Sequence, residues 1–152
     1  MSCKIQKIGV IGAGQMGGGI TQVCATSGFS VYLIDENEET VANGLNRLTA
    51  NMERDVARGR MTDDMLKTAQ DRIATGLSYK GFKDCDLVIE AASEDEEVKK
   101  EILRYLCEHI NENTLIATNT SSISITRLAA QTDRPGKVCG MHFMNPVPRM
   151  EL

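Results

Sequence analysis

The sequence predicts an α/β fold in which a doubly wound, mainly parallel sheet carries helices on both faces. Three observations support this prediction: short β-rich runs alternate with helix-compatible segments, a glycine-rich loop follows the first run, and a long helical stretch interrupts the alternation. Alternation of strands and helices is typical of parallel sheets, because each crossover between parallel strands needs a connection about as long as a helix.

The first predicted elements surround the glycine-rich loop. Residues 4–11 (KIQKIGVI) form a β-rich run, and the helix-compatible residues 16–27 follow it. Gly28 occupies the position of a helix C-terminal glycine. Residues 30–34 (SVYLI) predict the second strand.

After Glu38 the apolar spacing becomes helical. Apolar residues recur every three or four positions and predict one long amphipathic helix; they are Val41, Leu45, Leu48, Met52 and Val56. Residues 58–60 (RGR) interrupt this pattern, and Thr62 can cap a second helix. The two segments predict a helical hairpin, inserted where a doubly wound fold usually has a single crossover helix.

The rest of the chain returns to regular alternation. Strands are predicted at residues 73–77, 86–90, 115–118 and 137–143, and helices at residues 95–110 and 121–131. There is no internal repeat, low-complexity segment or linker. Residues 1–152 are therefore predicted to form one domain.

Composition narrows the classes of function. The net charge is −4 and no Lys/Arg cluster is present, so no nucleic-acid partner is expected, because phosphate binding needs a concentrated basic face. No apolar run has the length of a membrane span, and no signal peptide is expected. The five cysteines form no CxxC pair. They predict free thiols, packed as small hydrophobic side chains, in a cytoplasmic protein; a nucleophilic thiol is the alternative. No metal site is predicted.

Residues 12–17 (GAGQMG) form a GxGxxG motif between a predicted strand and a predicted helix. Gly12 permits a tight turn, Gly14 allows the backbone to approach a pyrophosphate, and Gly17 allows the helix to pack closely on the strand. Gln15 and Met16 belong to the helix N-terminus, which presents free N–H groups to phosphates. A bare turn is the alternative for this motif.

Asp35 ends the second predicted strand, eighteen positions after Gly17, and Glu36 follows it. In a Rossmann-type fold an acidic residue here accepts hydrogen bonds from the adenosine ribose. The 2′-phosphate of NADP would lie beside the two carboxylates, with no arginine nearby to bind it. The sequence therefore predicts NAD, rather than NADP, as the cofactor.

Four motifs occur together and in order: GAGQMG, DLVIEAASEDEEVKKEI, ATNTSSISIT and GMHFMNP. This combination, which covers the whole chain, resembles the L-3-hydroxyacyl-CoA dehydrogenases. The resemblance implies reversible, NAD-dependent oxidation of an (S)-3-hydroxyacyl-CoA, with 3-hydroxybutyryl-CoA foremost, to the 3-ketoacyl-CoA.

The resemblance also implies roles for single residues. His142 matches the family's catalytic general acid/base, and Ser121 matches a serine that hydrogen-bonds the substrate's 3-oxygen. Contacts to the cofactor are implied at Ala91, Glu94 and Lys99, and a contact to the cofactor or to the substrate end is implied at Asn145. Some of these roles have an alternative. Glu94 and Lys99 could lie at a solvated helix start, and residues 120–122 could cap the next helix without contacting the substrate. His109 is expected at the surface.

The helical hairpin resembles the family's coenzyme A-binding region, which implies contacts from Asn51 and Arg58. The family often has Ser and Lys at these two places, although Arg can still pair with phosphate. An exposed helical face without a ligand is the alternative.

The family has a second, all-helical domain that completes the acyl-CoA pocket and forms a homodimer or higher assembly. Its catalytic histidine pairs with a glutamate just beyond Leu152, and Glu151 falls too early to be that residue. These 152 residues alone are therefore expected to fold and bind NAD with little turnover.

Three other identities remain open. One is another NAD-dependent 3-hydroxyacid dehydrogenase. Another is a catalytically silent NAD-binding or structural protein, since the family has a lens crystallin relative. The third is a piece of a multifunctional β-oxidation protein, although the first strand begins only a few residues after Met1, which favours a separate gene.

Overall fold

The computed structural model describes residues 4–152 and contains a six-stranded sheet. The strands are β1 (Lys7–Ile11), β2 (Ser30–Ile34), β3 (Ile73–Gly76), β4 (Leu87–Glu90), β5 (Leu115–Thr118) and β6 (Val138–Gly140). Their order is β3-β2-β1-β4-β5-β6, and every pair is parallel. The predicted doubly wound fold is confirmed. Its strand order reverses beside β1, and such sheets bind ligands at the carboxyl ends of the strands near this point.

In the described part of the chain, five helices cover the sheet: α1 (Gln15–Thr26), α2 (Glu38–Ala57), α3 (Asp63–Asp71), α4 (Glu96–Cys107) and α5 (Ile125–Ala129). Short 3₁₀ turns occur at Tyr79–Phe82, Pro135–Lys137 and Val147–Arg149. Helices α2 and α3 form the predicted hairpin between β2 and β3. Side chains cap both of its helices, because Asn37 accepts the Thr40 N–H and Thr62 accepts the Met65 N–H.

Two predicted elements near the end of the chain are shorter than expected. The helix predicted at 121–131 begins only at Ile125, because Ser124, and not a residue of 120–122, caps it. The strand predicted at 137–143 ends at Gly140. His142 therefore lies beyond the sheet, in an extended segment that follows it.

The two faces of the sheet bury separate apolar clusters, because successive strand residues point to opposite faces. One cluster lies under α1, α2 and α3 and includes Val10, Ile20, Leu33, Leu48 and Met52. The other lies under α4 and α5 and includes Phe82, Val88, Leu103, Ile116 and Leu128. The hairpin's predicted apolar face is thus the face that packs on α1.

The cysteine prediction is wrong for one residue. Cys24 and Cys85 are buried, and burial raises the pKa of each thiol to about 11. Cys107 is partly buried, whereas Cys139 is exposed on the edge strand β6. A strand at the edge of a sheet has a neighbouring strand on one side only, so its side chains can remain exposed. Cys3 lies outside the described residues.

A buried ion pair joins β4, α4 and β5. Lys99 Nζ donates to both carboxylate oxygens of Glu90, at 2.8 and 2.9 Å. The Thr118 hydroxyl and the Ala92 N–H also donate to that carboxylate, at 2.6 and 2.7 Å. Glu90 and Lys99 are 0% and 1% exposed. Burying two charges is costly, and hydrogen bonds on every side are what make it tolerable.

We expect Lys99→Met to lower the free energy of unfolding by about 3–5 kcal/mol, because Glu90 would keep a buried charge without its partner. Chemical denaturation measures this loss. Lys100→Met is the matched control, since the neighbouring Lys100 forms ion pairs only with Glu96 and Glu97 at the surface; it should change stability little. Equal losses in the two variants would contradict the assignment.

Candidate functional site

The glycine loop connects β1 to α1 and has the conformation that its motif predicts. Gly12 has a φ of +103°, which L side chains rarely adopt. A Cβ atom on Gly17 would lie 1.7 Å from the Gly12 carbonyl oxygen, so α1 packs directly on the loop. A Cβ atom on Gly14 would meet nothing within 4 Å. Gly14 therefore borders open space, where a ligand can approach the backbone.

The N-terminus of α1 faces this space with unpaired backbone groups. Gly14 is its N-cap residue and supplies no side-chain hydrogen bond, and the first turn holds no acidic residue. The amides of Gln15 and Met16 thus lack intrahelical partners and can bind phosphate. The side-chain amide of Gln15 donates to the Asn145 side-chain oxygen at 3.2 Å. This bond brings the predicted cofactor residue Asn145, near the chain's end, to the glycine loop.

Asp35 connects the end of β2 to the glycine loop. One carboxylate oxygen accepts the Ala13 N–H and the other accepts the Glu36 N–H, each at 2.6 Å. Each oxygen of an ionised carboxylate can accept a second hydrogen bond. The two remaining acceptor positions suit the adjacent hydroxyls of a ribose.

A cleft of about 530 Å³ opens beside Asp35. Its walls are the glycine loop, the end of β2, the loop after β4 and one face of α4. The predicted cofactor residues Gly12, Gly14, Asp35 and Ala91 line it together. Tyr79, Val98 and Ile102 also line it. The sequence did not indicate them as site residues, because aromatic and aliphatic residues in a turn or a helix are usually core residues.

Glu94 joins the loop after β4 to the loop after β5. Its carboxylate accepts hydrogen bonds from the Thr120 hydroxyl, from the Ser121 N–H at 3.2 Å and from the Ser121 hydroxyl at 3.4 Å. Burial raises the pKa of Glu94, but these bonds and the nearby Lys99 charge outweigh it, so the pKa lies below its usual value. Glu94 is therefore ionised at neutral pH. It holds Ser121 through these bonds, and it lies exposed directly before the N-cap residue of α4. A contact between Glu94 and the cofactor stays a prediction.

Lys99 is placed differently from expectation. It is buried, and its ammonium group is directed at the Glu90 carboxylate and, at 3.4 Å, at the Ala92 carbonyl. An ammonium group has three N–H donors, and these three acceptors match them. In this arrangement Lys99 holds in place the loop after β4, which lines the cleft. Direct contact between Lys99 and the cofactor stays a prediction that would require a rearrangement.

His142 lies at the same carboxyl edge as Ser121. The backbone around it is anchored: the Met141 N–H donates to the Thr118 carbonyl at 2.9 Å, and the Phe143 N–H donates to the Asn119 side chain at 2.8 Å. His142 itself is exposed. No other residue from 4 to 152 hydrogen-bonds to its ring, and Glu151 does not pair with it. The imidazole is thus held at the site by its backbone and is accessible to a ligand.

A second cavity, of about 300 Å³, lies between α1, α2 and the end of the chain. Both residues predicted to contact coenzyme A, Asn51 and Arg58, line it. Arg54 and Arg149 line it too, and Arg149 forms an ion pair with Asp55 at 3.8 Å. Arg149 could not be found from the sequence, because it is far from α2 along the chain. Three guanidinium groups make the cavity suitable for an anion.

Gln22 forms part of the wall of this second cavity. Its side chain is 2% exposed, and its amide oxygen has no hydrogen-bond partner among the described residues. A buried acceptor without a partner is costly. A ligand that donates a hydrogen bond here would remove that cost.

Residues 4–152 contain neither a cluster of metal-binding side chains nor a membrane-spanning helix. No group of three or more His, Cys, Asp or Glu side chains there could hold a metal ion. None of the helices in that range is long and apolar enough to cross a membrane.

Comparison with known proteins agrees with this geometry. The sequence model of the family described as "3-hydroxyacyl-CoA dehydrogenase, NAD binding domain" matches residues 7–152. A 3-hydroxybutyryl-CoA dehydrogenase of Bradyrhizobium diazoefficiens is 47% identical over 152 residues, which are all of this chain and 52% of the relative. A probable 3-hydroxybutyryl-CoA dehydrogenase of Bacillus subtilis is 43% identical over 149 residues, or 98% of this chain and 52% of the relative.

The crystal structure of (S)-3-hydroxybutyryl-CoA dehydrogenase from Ralstonia eutropha superposes with a TM-score of 0.96 at 42% identity. The match covers 98% of this chain and 53% of that one. This chain thus spans about half the length of the curated relatives that it matches. By the family match and by the cleft that holds the dinucleotide motif, the chain belongs to the 3-hydroxyacyl-CoA dehydrogenase family, of which it is an NAD-binding domain.

Proposed function

We propose that the protein reversibly oxidises an (S)-3-hydroxyacyl-CoA to the 3-ketoacyl-CoA, with 3-hydroxybutyryl-CoA as the foremost substrate. One observation carries this proposal. The NAD cleft, the Ser121–Glu94 contact and the accessible His142 lie at the carboxyl edge of one sheet, and a cavity with three arginines lies nearby. The names of the similar proteins from Bradyrhizobium and Ralstonia support the choice of acyl group.

The groups of this chain divide the chemistry between them. NAD, when bound, supplies the hydride acceptor. His142 takes the proton of the substrate's 3-hydroxyl during oxidation and returns it during reduction, a task that suits an imidazole near neutral pH. Ser121 donates a hydrogen bond to the 3-oxygen. Glu94 accepts the Ser121 N–H and so holds the residue in place before the substrate arrives. The single hydroxyl proton of Ser121, which is directed at Glu94 at 3.4 Å, turns to the 3-oxygen when the substrate binds.

The arginine-lined cavity is the proposed site for the phosphates of coenzyme A. Arg58 and Arg149 are charged at any physiological pH and can bind a phosphate bidentately. Asn51 is held by a hydrogen bond from Arg54, so the two side chains form one polar surface on α2. The predicted alternative, an exposed helical face without a ligand, gives no reason for a cavity with this charge.

We further propose that the whole protein includes a helical domain that completes the acyl-CoA pocket and forms the interface of a homodimer or higher assembly. The greater length of its relatives supports this proposal. A cytoplasmic location is also proposed, since the exposed thiol of Cys139 suits a reducing compartment.

Two rival functions remain testable. Another NAD-dependent 3-hydroxyacid dehydrogenase would need no cavity for coenzyme A phosphates, so comparing acyl-CoA thioesters with free hydroxyacids as substrates separates it. A catalytically silent NAD-binding or structural protein would bind the cofactor and turn over neither kind of substrate.

In the full-length enzyme, His142→Gln should lower kcat about 10²–10⁴-fold, because a positioned acid/base contributes that much. The dissociation constant of NADH should stay nearly unchanged, since His142 does not line the NAD cleft. His109→Gln is the control, and its kcat should stay near that of the unaltered enzyme. Near-normal turnover in His142→Gln would refute the proposed role.

Residues 1–152 alone should bind NADH and show little or no turnover of 3-hydroxybutyryl-CoA. The physical reason is that His142 has no carboxylate partner among the described residues to orient its ring and stabilise the imidazolium. Calorimetry measures the binding, and absorbance of NADH measures the turnover. Robust turnover by this chain would show that no further residues are needed.

The chain should prefer NADH to NADPH by at least about a hundredfold, because a 2′-phosphate beside Asp35 and Glu36 would suffer like-charge repulsion. Asp35→Ala should weaken NADH binding about tenfold or more through loss of hydrogen bonds to a charged group, and should narrow that preference. Glu39→Gln, on the exposed first turn of α2, is the control. Tighter binding of NADPH by the unaltered chain would contradict the cofactor assignment.

A further inference from the structure

The two side chains proposed to act on the substrate come from different loops. Ser121 lies in the loop after β5, and His142 lies in the extended segment after β6. Both are proposed to contact one atom, the 3-oxygen of the substrate, so the distance between them must be fixed. A displacement of about 1 Å at a reacting group can cost about a hundredfold in rate. The contacts that join the two loops therefore bear directly on the proposed reaction.

The backbone ladder of the sheet ends before it reaches His142. Its last bond between β5 and β6 comes from the Met141 N–H, which donates to the Thr118 carbonyl at 2.9 Å. Two residues further along, the Phe143 N–H donates to the side-chain oxygen of Asn119, at 2.8 Å. The Asn119 side chain thus adds one more bond beyond the ends of both strands, and His142 lies between the two N–H groups that are held.

Asn119 is itself fixed to the sheet. Its backbone N–H donates to the Glu90 carbonyl at 2.9 Å, and its side chain is half-buried. Only the oxygen of an amide side chain can accept an N–H, so the bond from Phe143 also sets the orientation of this amide. Glu90 is the last residue of β4 and belongs to the buried ion pair. Asn119 therefore connects the segment that carries His142 to a rigid part of the fold.

Phe143 and His142 face opposite sides of that segment. Phe143 is 9% exposed and belongs to the apolar cluster under α1, α2 and α3, whereas His142 is exposed. Successive side chains of an extended chain alternate in direction, so the inward Phe143 leaves His142 at the site. Packing of Phe143 holds the segment on the domain, and the bond to Asn119 holds it at the edge of the sheet. Loss of that bond should displace the imidazole without unfolding the segment.

We propose that Asn119 is a positioning residue that fixes the distance between His142 and Ser121. This inference rests on the proposed roles of those two residues. Asn119 precedes Ser121 by two positions in one loop and binds the residue after His142 in the other. In residues 4–152, no other hydrogen bond joins the loop at 119–124 to the segment at 141–146. Asn119 lines neither the NAD cleft nor the arginine-lined cavity, so its effect on the reaction comes through the residues that it joins.

The test is steady-state kinetics of Asn119→Ala in the full-length enzyme. Its kcat for 3-hydroxybutyryl-CoA should fall about 10- to 100-fold, because the imidazole would no longer be held within reach of the 3-hydroxyl. The dissociation constant of NADH, measured by calorimetry, should stay nearly unchanged, since neither Asn119 nor His142 lines the NAD cleft. Asn119→Leu, which has a side chain of similar size and no acceptor, should give the same result.

A double-mutant cycle separates the positioning of His142 from a general structural role. In the His142→Gln background no imidazole remains to be positioned, so adding Asn119→Ala should lower the residual kcat by less than about twofold. Equal fold losses of kcat in the two backgrounds would overturn the inference. Unchanged kcat in both Asn119 variants would overturn it as well.

Asn111→Ala is the matched control. The Asn111 side chain also accepts a backbone N–H, that of Asn113 at 3.0 Å, but it lies in the loop before β5. Its kcat should equal that of the unaltered enzyme. An equal loss of kcat in Asn111→Ala, or failure of both Asn119 variants to fold, would assign Asn119 to stability alone. Near-normal turnover in His142→Gln would instead reject the proposed acid/base, and this inference with it.

Discussion

The ion pair between Glu90 and Lys99 holds the carboxyl edge of the sheet in one arrangement. Glu90 is the last residue of β4, and its carboxylate binds α4 through Lys99, β5 through Thr118 and the following loop through the Ala92 N–H. That loop lines the NAD cleft and leads to Glu94, which in turn positions Ser121. Because a buried carboxylate must keep all its donors, these elements cannot shift independently.

The carboxyl edge of the sheet lies between two proposed binding sites. On one side, the α1 N-terminus and Asp35 offer donors and acceptors for a dinucleotide. On the other, arginines from α2 and from the end of the chain offer positive charge, and Asp55 keeps Arg149 near α2. His142 and Asn145 belong to the segment that runs between them. The proposed chemistry therefore takes place where the two ligands can meet, at the end of the sheet.

Much of the fold and of the NAD site could be predicted from the sequence, because the sequence patterns that indicate them are local. The GxGxxG motif, Asp35 and the hairpin depend on spacing within one or two neighbouring elements, and the structure confirms their conformations. Predictions at the end of the chain were less accurate. The last helix begins at Ile125, after the cap residue Ser124, and the last strand ends at Gly140, since capping and edge pairing there depend on contacts with other loops.

The sequence by itself determined the order of strands and helices, the glycine loop, the choice of NAD and the family. These follow from periodicity, backbone conformation and charge, which are properties of short segments. Only the tertiary structure decided that Lys99 supports a loop from below, that Glu94 holds Ser121, and that Tyr79 and Arg149 line the two cavities. Each of these depends on side chains brought together from distant parts of the chain, and burial and geometry, not spacing, assign their partners.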